Sequence, residues 1–318
     1  MRILVTGGAG FIGSHIIDAL LRQGDHVVCI DNFSLGKEEH LEHHSKNSHF
    51  SLRRLDLVTD RSAMELLFQR EKFDCVFHLC ANSDIQRGGK DPSLDLNRTF
   101  LSTFYVLECM RLYNVRDLVF SSSSAIYGDL SGKLNENSGP AFPKSLYGAG
   151  KLAAEGFISA YTENFDLRSW IFRFPNVVGP RATHGVLFDF ILRLRQNPKQ
   201  LTILGDGKQA KPYMHVHDLV QAILIGWKKS TGSFNCFNVG VDSFTTPDEI
   251  AEIVIEEMKL GSVVLSHTGG PRGWKGDVPR FEYDSSKMRK LGWKPSSTST
   301  EAVRLAVKDL IEQSSVMQ

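Results

Sequence analysis

The chain has 318 residues, enough for one large α/β domain or a main domain with a smaller appendage. Its 37 basic and 36 acidic residues nearly balance, which argues against a nucleic-acid-binding or membrane-surface protein. The five cysteines include no Cys-x-x-Cys pair and indicate buried thiols in a reducing compartment. Because no run of about 18 apolar residues occurs and a strand-like run begins at once, we expect no membrane span, no signal peptide and a cytoplasmic location.

Short β-branched or aromatic runs alternate with amphipathic stretches through the first half of the chain. The runs that predict strands are residues 3–6, 27–31, 51–55, 75–79, 118–122 and 170–174. Between the first two, Ile16, Ile17, Leu20 and Leu21 have the spacing of one helix face. This alternation predicts an α/β fold with a doubly wound parallel sheet, the Rossmann architecture.

The second half is less regular. Residues 234–239 predict a further strand, 247–258 a helix with Pro247 in its first turn, and 300–312 a closing helix. Loops are expected at 179–181, 204–208 and 269–273. We therefore predict a Rossmann domain over residues 1–176, with a returning strand within 213–240, and a smaller, mainly substrate-binding α/β region over 177–318.

A glycine-rich turn follows the first predicted strand and opens the first helix. Gly7, Gly10 and Gly13 satisfy Gly-x-x-Gly-x-x-Gly, a pattern that allows a tight turn and the close approach of a pyrophosphate. Asp31 ends the second strand at the spacing of a ribose-binding acid. Its carboxylate would accept hydrogen bonds from the ribose hydroxyls and repel a 2′-phosphate. Asp31 therefore predicts NAD over NADP as the cofactor. Asp56 ends the third strand, where it either borders the adenine or is a solvated turn residue.

Tyr147 and Lys151 stand four residues apart at the start of a helical run, so they share a helix face. A lysine cation beside a phenol lowers the phenol pKa toward the value that a general base needs. The other candidate base, Tyr127, has no lysine four residues later. His215 and His217 alternate on a predicted strand without a carboxylate or cysteine at ligand spacing, so we predict no metal site.

Together these features resemble the extended short-chain dehydrogenase/reductase superfamily, the NAD-dependent nucleotide-sugar epimerases and dehydratases. Blocks at residues 77–81, 120–128, 173–181 and 213–218 carry the resemblance in the expected order over essentially the whole chain. Within the superfamily the chain is most similar to the short UDP-glucose (UDP-galactose) 4-epimerases of archaeal and bacterial type. The segments 184–191, 197–198, 205–209 and 273–279 support that similarity.

The resemblance implies NAD-dependent epimerisation at C4 of a nucleotide-diphosphate hexose, through a transient 4-keto sugar. Its catalytic residues would be Ser123, Tyr147 and Lys151, with Tyr147 as the base. Ser124 and Ala125 occupy the positions where the family's dehydratases carry Asp-Glu, which favours epimerisation over dehydration.

The resemblance also implies the contacts of cofactor and substrate. The residues implied for NAD are Gly7, Gly10, Phe11, Ile12, Gly13, Asp31, Asn32, Ser34, Gly36, Asp56, Leu57, Leu79, Cys80, Ala81, Thr99, Ser121, Tyr147, Lys151 and Pro175. Those implied for the sugar nucleotide are Ser123, Tyr147, Asn176, Val186, Lys211, Tyr213, Arg272 and Phe281. Lys211 and Arg272 would meet the diphosphate, and Phe281 would favour a hexose without an N-acetyl group.

Two other functions stay open. One is an epimerase, dehydratase or decarboxylase for a different nucleotide sugar used in surface polysaccharide synthesis, and the other is a non-catalytic NAD-sensing protein. The relatives also imply a homodimer through two helices. The apolar residues of 101–112 and 152–161 either form that interface or belong to the core of the protein itself. No nucleic acid or membrane partner is expected.

Overall fold

A computed structural model describes residues 1–274, 276–278 and 280–316 of the chain. Its strands are β1 (Arg2–Thr6), β2 (His26–Asp31), β3 (Phe50–Arg54), β4 (Cys75–His78), β5 (Asp117–Ser121), β6 (Lys133–Leu134), β7 (Arg168–Arg173), β8 (Asn176–Val178), β9 (Gln200–Ile203), β10 (Tyr213–His215), β11 (Phe234–Asn238), β12 (Val264–His267) and β13 (Glu282–Tyr283).

The α-helices of the same residues are α1 (Phe11–Arg22), α2 (Arg61–Glu71), α3 (Ile85–Lys90), α4 (Pro92–Asp95), α5 (Ser102–Leu112), α6 (Leu146–Asn164), α7 (Val186–Gln196), α8 (Val216–Lys229), α9 (Pro247–Glu257), α10 (Ser286–Lys290) and α11 (Ser299–Val316). Short 3-10 turns cover Glu38–His40, Glu42–His44 and Ser124–Tyr127, and a π-helical stretch over Leu96–Leu101 precedes α5. None of the helices in this described part of the chain combines the length and apolarity needed to cross a bilayer.

Seven strands form one parallel sheet in the order β11-β7-β5-β4-β1-β2-β3. From β1 the chain first adds β2 and β3 on one side, and later β4, β5, β7 and β11 on the other. The order reverses between β1 and β4, and ligands of such sheets bind beyond the carboxyl ends of the strands at that point. The doubly wound parallel sheet is confirmed, and every run predicted as a strand in the first half belongs to it.

Both faces of the sheet are covered, which explains why its strands read as continuous apolar runs. Val28, Val76 and Leu118 are buried in one hydrophobic cluster together with Phe68 of α2 and Val106 of α5. Ile158 of α6 belongs to the same cluster, so α6 packs through its apolar face against the sheet. The ends of β1, β2, β4 and β5, near which the cofactor and catalytic residues are predicted, are therefore held by a buried scaffold.

The chain forms two compact units, each assembled from separate segments. The first contains Met1–Ile126, Ser145–Arg173 and Ile223–Phe237, and the second contains Tyr127–Lys144, Phe174–Ala222 and Asn238–Gln318. The first unit is discontinuous because β11 returns beside β7 in the main sheet. The functional division at residues 176 and 177 stays a prediction, and these segments do not coincide with it.

The second unit has its own hydrophobic core. Helices α7, α9 and α11 contribute buried residues such as Phe190, Ile250 and Val303 to one cluster. Short parallel pairs, β8 with β10 and β9 with β12, accompany these helices. The predicted helix over 247–258 is confirmed as α9, which begins with a capping box between Thr246 and Glu249. The closing helix is confirmed as α11, whereas α7 and α8 were not predicted.

Candidate active site

The glycine turn between β1 and α1 has a conformation that only glycine accommodates. Gly7 has φ +69°, and a Cβ there would lie 2.8 Å from the Cα of Cys80. A Cβ on Gly13 would lie 2.2 Å from the carbonyl oxygen of Gly7. No side chain caps α1, whose N-cap residue is Gly10, so the positive end of its dipole can receive an anion such as a pyrophosphate. Phe11 and Ile12, both half-buried, begin this helix.

Asp31 fastens the end of β2 to this turn. It is 8 % exposed, and its Oδ2 accepts a hydrogen bond of 3.0 Å from the backbone N–H of Ala9. Its Oδ1 accepts one of 2.8 Å from the N–H of Phe33. Burial raises the pKa of the carboxyl, against the opposing effect of these two N–H groups. Each carboxylate oxygen has a further lone pair with which to accept a ribose hydroxyl.

A small pocket that opens to solvent lies next to Asp31. Its lining residues are Gly7, Ile30, Asp31, Asn32, Leu55, Asp56, Leu57, Val58, Cys80, Arg98 and Ser102. Burial opposes ionisation of Asp56, but the hydrogen bonds from Asn32 and two backbone N–H groups outweigh it and lower the pKa. Arg98 was not predicted here, although its place next to the predicted Thr99 was a usable signal. A charged edge and an apolar floor fit the adenosine part of NAD.

The other predicted cofactor residues surround the same turn or lie behind it. Gly36 packs so closely that a Cβ would lie 2.9 Å from the carbonyl carbon of Ala9. Ser34 donates its backbone N–H to Asn32 Oδ1 over 3.0 Å. Leu79 donates its N–H to the carbonyl of Thr6 over 3.1 Å, which carries the chain of residues 79–81 past the turn.

Thr99 is buried, and its hydroxyl already has partners within the protein. Its Oγ1 accepts the N–H of Asn82 over 3.2 Å and donates to Asp95 over 3.3 Å. These contacts favour a supporting role for Thr99 behind the cofactor residues. Pro175 is buried and belongs to the second unit.

Consecutive serines at the end of β5 contact one face of α6. The ammonium of Lys151 donates to the carbonyl oxygen of Ser121 over 2.5 Å and to its Oγ over 3.4 Å. Ser123 hydrogen-bonds the side chain of Tyr147. Its Oγ also accepts the N–H of Ala125 over 3.1 Å, which fixes the turn after the strand. The structure thus brings together Ser123, Tyr147 and Lys151, whose catalytic roles stay predictions.

The effect of the protein's own groups on the Tyr147 phenol is opposite to the one predicted. Burial raises the pKa of Tyr147 to about 12, a hydrogen bond from Ser123 lowers it, and the charge of Asp95 raises it. The Lys151 Nζ atom lies 5.9 Å from the centre of the phenol ring and is directed to Ser121 instead. The expectation that Lys151 lowers this pKa is therefore wrong for the protein's own groups. Helical spacing gives a shared face but not the direction of the ammonium.

The Lys151 ammonium is itself strongly affected by its surroundings. The side chain is 1 % exposed, and desolvation lowers its pKa to about 8. The nearby Cys80 and Glu155 act in the opposite direction. A positive charge is thus held in the interior, where it acts on its neighbours with little screening by water.

Glu155 extends the functional face of α6 by one further turn and was not predicted. It is 5 % exposed, and Ser122 Oγ donates to its Oε1. Arg173, at the end of β7, donates from Nε to Oε1 over 3.0 Å and from its terminal nitrogen to Oε2 over 2.6 Å. Its position four residues after Lys151 was the signal that could have revealed it. Ser122 is thus held by Glu155, between Ser121, which contacts Lys151, and Ser123, which contacts Tyr147.

His78 completes the polar floor at the end of β4. Its Nδ1 lies 2.6 Å from Thr6 Oγ1, and its Nε2 lies 3.0 Å from Thr103 Oγ1. Because Thr103 gives its hydrogen to the carbonyl of Thr99, His78 must donate from Nε2 and accept at Nδ1. Desolvation, and then the charge of Lys151, lower the pKa of His78 to about 3. The imidazole is therefore a neutral structural element.

In the second unit, Lys211 and Arg272 share one carboxylate residue. Lys211 pairs with Asp277 Oδ1, and Arg272 donates to the Asp277 carbonyl over 2.9 Å. Asp277 is 3 % exposed and also accepts the N–H of Gly273 over 3.1 Å. It was not predicted, although it stands in the segment 273–279 that supports the resemblance. Lys275 and Pro279 of that segment lie outside the described residues.

The remaining predicted substrate residues are also in the second unit. Asn176 is exposed and stands opposite Tyr213 in the pairing of β8 with β10. Val186 begins α7, and the Phe281 ring lies 5.5 Å from that of Tyr283. Burial raises the pKa of Tyr213, so it stays a neutral phenol. Their roles in substrate binding stay predictions.

The histidine pair 215 and 217 has a neighbour that the sequence did not reveal. The Nε2 of His215 lies 3.7 Å from Asp309 Oδ2, so a carboxylate does accompany the pair. Asp309 lies far along the chain, on α11, and so escaped an argument from local spacing.

A double-mutant cycle will measure how tightly Glu155 and Arg173 are coupled. Either Glu155→Met or Arg173→Met removes one partner of this buried ion pair, and each should lower the free energy of unfolding by about 3–5 kcal/mol. The double variant should be destabilised by less than the sum of the two, because no charge is left alone. Urea unfolding followed by circular dichroism gives these values, and simple additivity would contradict the coupling.

Lys151→Met should stabilise the protein at pH 7. A folded-state pKa of about 8, below the ordinary 10.5, means that burying the ammonium costs stability below pH 8. The substitution should raise the free energy of unfolding by about 1–3 kcal/mol, at roughly 1.4 kcal/mol per pKa unit less the lost hydrogen bond. Between pH 8 and 10.5 the unfolded wild type binds more protons, so wild-type stability rises and the advantage of the variant shrinks. Lys208→Met, at an exposed position, should change little, and a pH-independent loss in Lys151→Met would contradict the expectation.

Comparisons with known proteins identify the family to which this chain belongs. The model of the NAD dependent epimerase/dehydratase family matches residues 3–240. A UDP-glucose 4-epimerase of Mycolicibacterium smegmatis is 32% identical over 316 residues, 97% of this chain and 98% of the relative. A solved UDP-galactose 4-epimerase is 38% identical with a TM-score of 0.87, covering 98% of this chain and 99% of that one. UDP-glucuronic acid decarboxylase 4 of Arabidopsis thaliana is 30% identical over 320 residues, 97% of this chain and 68% of the relative. The chain therefore belongs to the NAD dependent epimerase/dehydratase family.

Proposed function

We propose that this chain is an NAD-dependent 4-epimerase of a nucleotide-diphosphate hexose, with UDP-glucose and UDP-galactose as the interconverted pair. The observation that carries the proposal is the sequence of side chains at the end of β5. Ser123 hydrogen-bonds Tyr147, while Ser124 and Ala125 follow it in a 3-10 turn. Neither a hydroxyl nor a methyl group at those positions can serve as the acid that elimination of water requires. Removal and return of hydrogen at one carbon needs no such acid.

In this reaction Tyr147 takes the proton of the sugar 4-hydroxyl and returns one. Ser123, next to Tyr147, turns its single hydroxyl hydrogen from Tyr147 to the oxygen at C4 and stabilises that oxygen as a carbonyl develops. Lys151, fixed to the Ser121 carbonyl, would bind the ribose next to the nicotinamide. NAD, held by the glycine turn and Asp31, supplies when bound the hydride acceptor and a positive ring, and is unchanged after a full cycle. Burial holds the pKa of the Tyr147 phenol at about 12. The protein's own groups therefore do not favour the phenolate near neutral pH, and the reaction needs an added positive charge to do so.

The second unit supplies the contacts to the sugar nucleotide in this proposal. Lys211 and Arg272, both held by Asp277, meet the diphosphate. A lysine ammonium lacks the planar fork of N–H donors that orients an arginine. The ion pair with Asp277 orients Lys211 instead. Asn176, Val186 and Tyr213 contact the nucleotide, and the ring of Phe281 borders the sugar.

A cytoplasmic homodimer is the assembly that we propose. α5 and α6 contact each other and leave apolar side chains in solvent, with Leu112 56% and Phe157 40% exposed. The rings of Phe100 and Phe104 lie 5.1 and 6.0 Å from that of Phe157. An exposed aromatic group of this kind is typical of a surface that a partner covers.

Product separation after incubation with UDP-, GDP- and dTDP-sugars tests the proposed reaction. UDP-glucose and UDP-galactose should reach the same mixture from either side, with no net formation of NADH. A 4-keto-6-deoxy product absorbing in base would identify a dehydratase, and release of carbon dioxide from UDP-glucuronic acid a decarboxylase. Binding of NAD without turnover of any sugar would leave the NAD-sensing alternative.

Tyr147→Phe should lower kcat by about 10²-fold or more, because the proton acceptor is removed while the ring is kept. NAD affinity should change little. Tyr127→Phe is the matched control, since the hydroxyl of Tyr127 donates to Asn238 Oδ1 over 2.8 Å and to the Asn135 carbonyl over 3.0 Å, both within the second unit. Turnover by Tyr147→Phe at the wild-type rate would remove Tyr147 from the mechanism.

A further inference from the structure

Three potential metal-binding side chains meet in the first unit, outside the residues assigned above. Asp18 lies on α1, and His43 and His44 belong to the 3-10 turn Glu42–His44. The Nε2 atoms of the two histidines lie 2.9 and 2.7 Å from the same oxygen, Asp18 Oδ1. One ligand atom from each of the three side chains lies within 4.8 Å of the other two.

The convergence of His43 and His44 is unusual for neighbours on a helical turn. Adjacent residues of a helix point in different directions. Here the two imidazoles are instead 3.9 Å apart between ring centres, at an interplanar angle of 43°. The His44 ring also contacts Phe50, at 5.6 Å between centres, which helps to fix its orientation. The two imidazole nitrogen atoms therefore converge on one carboxylate oxygen.

We propose that Asp18, His43 and His44 bind one divalent first-row transition metal ion, with zinc as the reference case. Zinc binds imidazole nitrogen at about 2.0–2.1 Å and carboxylate oxygen at about 2.0–2.2 Å, so tetrahedral ligand atoms are roughly 3.3–3.5 Å apart. The observed separations of 2.9 and 2.7 Å need to widen by only about half an ångström. Small side-chain rotations achieve this without moving the backbone.

The exposure of the three side chains suits an ion that enters from solvent. The side chain of His43 is 46% exposed, whereas those of His44 and Asp18 are 14% and 17% exposed. Two ligands are thus held in place, and water reaches the ion beside the third to complete its coordination. Two imidazoles with one carboxylate favour zinc, nickel or copper over magnesium and calcium, which prefer oxygen ligands. This inference departs from the sequence-based expectation of no metal site, which considered only His215 and His217.

Calorimetric titration of the full chain with Zn²⁺, after treatment with a chelator and its removal, tests the proposal. We expect one ion per chain at this site, and binding weaker by at least ~10-fold in His43→Gln, His44→Gln and Asp18→Asn. Mg²⁺ should produce no comparable heat. In the wild type Zn²⁺ should also raise the unfolding temperature, because it binds the folded state.

The histidine pair His26 and His49 provides a matched control. Its ring centres are also 3.9 Å apart, so His26→Gln combined with His49→Gln removes two neighbouring imidazoles at the same spacing. Zinc binding should survive in that variant. Because five free cysteines can bind zinc elsewhere, the triple variant Asp18→Asn, His43→Gln, His44→Gln sets the background.

Wild-type binding equal to that background would overturn the proposal, whether both proteins bind zinc or neither does. Circular dichroism and NAD affinity verify that the triple variant is folded. If it is not, the exposed single variant His43→Gln decides by the same criterion.

Discussion

The buried ammonium of Lys151 is the constraint on which the arrangement of the first unit depends. A charge with 1 % exposure is costly, and its surroundings compensate it only in part, since its pKa is still lowered to about 8. The carbonyl of Ser121 accepts its hydrogen bond, and the nearby Cys80 and Glu155 oppose the lowering of its pKa. Because Ser121 ends β5, that hydrogen bond demands that α6 lie against the end of β5 in one register. The serines at the end of β5 and the polar face of α6 therefore hold each other in position.

Glu155 and Arg173 keep that register in place from the far side. Their hydrogen bonds tie α6 to β7, and the bond from Ser122 ties the same carboxylate to β5. The predicted catalytic residues on α6 are thus positioned by an ion pair, which is a common way to obtain precise geometry from rigid elements. His78 has a related role beneath Lys151, where a neutral imidazole fills a polar gap without adding a second positive charge.

Much of the first unit could be predicted from sequence because its signals are local. Alternating apolar runs predict the strands, and the glycine turn predicts its own conformation because Gly7 and Gly13 exclude a Cβ. The direction of the Tyr147 pKa was not predictable, since desolvation depends on atoms distant in the chain. Asp277 and Asp309 escaped for the same reason: their partners are joined only by the fold. In the second unit β8, β9 and β12 have only three or four residues each, too few to give a periodic signal, and they were missed. Helices α7 and α8 were also missed, although both are amphipathic.

The interleaving of segments has a consequence for how the chain is made. The main sheet has its edge strand, β11, encoded at Phe234–Asn238, after the long segment Phe174–Ala222 that belongs to the other unit. A ribosome therefore exposes β7 as an unprotected edge while it synthesises that segment. Until β11 emerges, the backbone groups of β7 on that side lack their final partner, and an unpaired edge is prone to pair with other chains. Because β11 is synthesised last of the sheet's strands, the nascent chain is most prone to aggregate through β7 just before the sheet is complete.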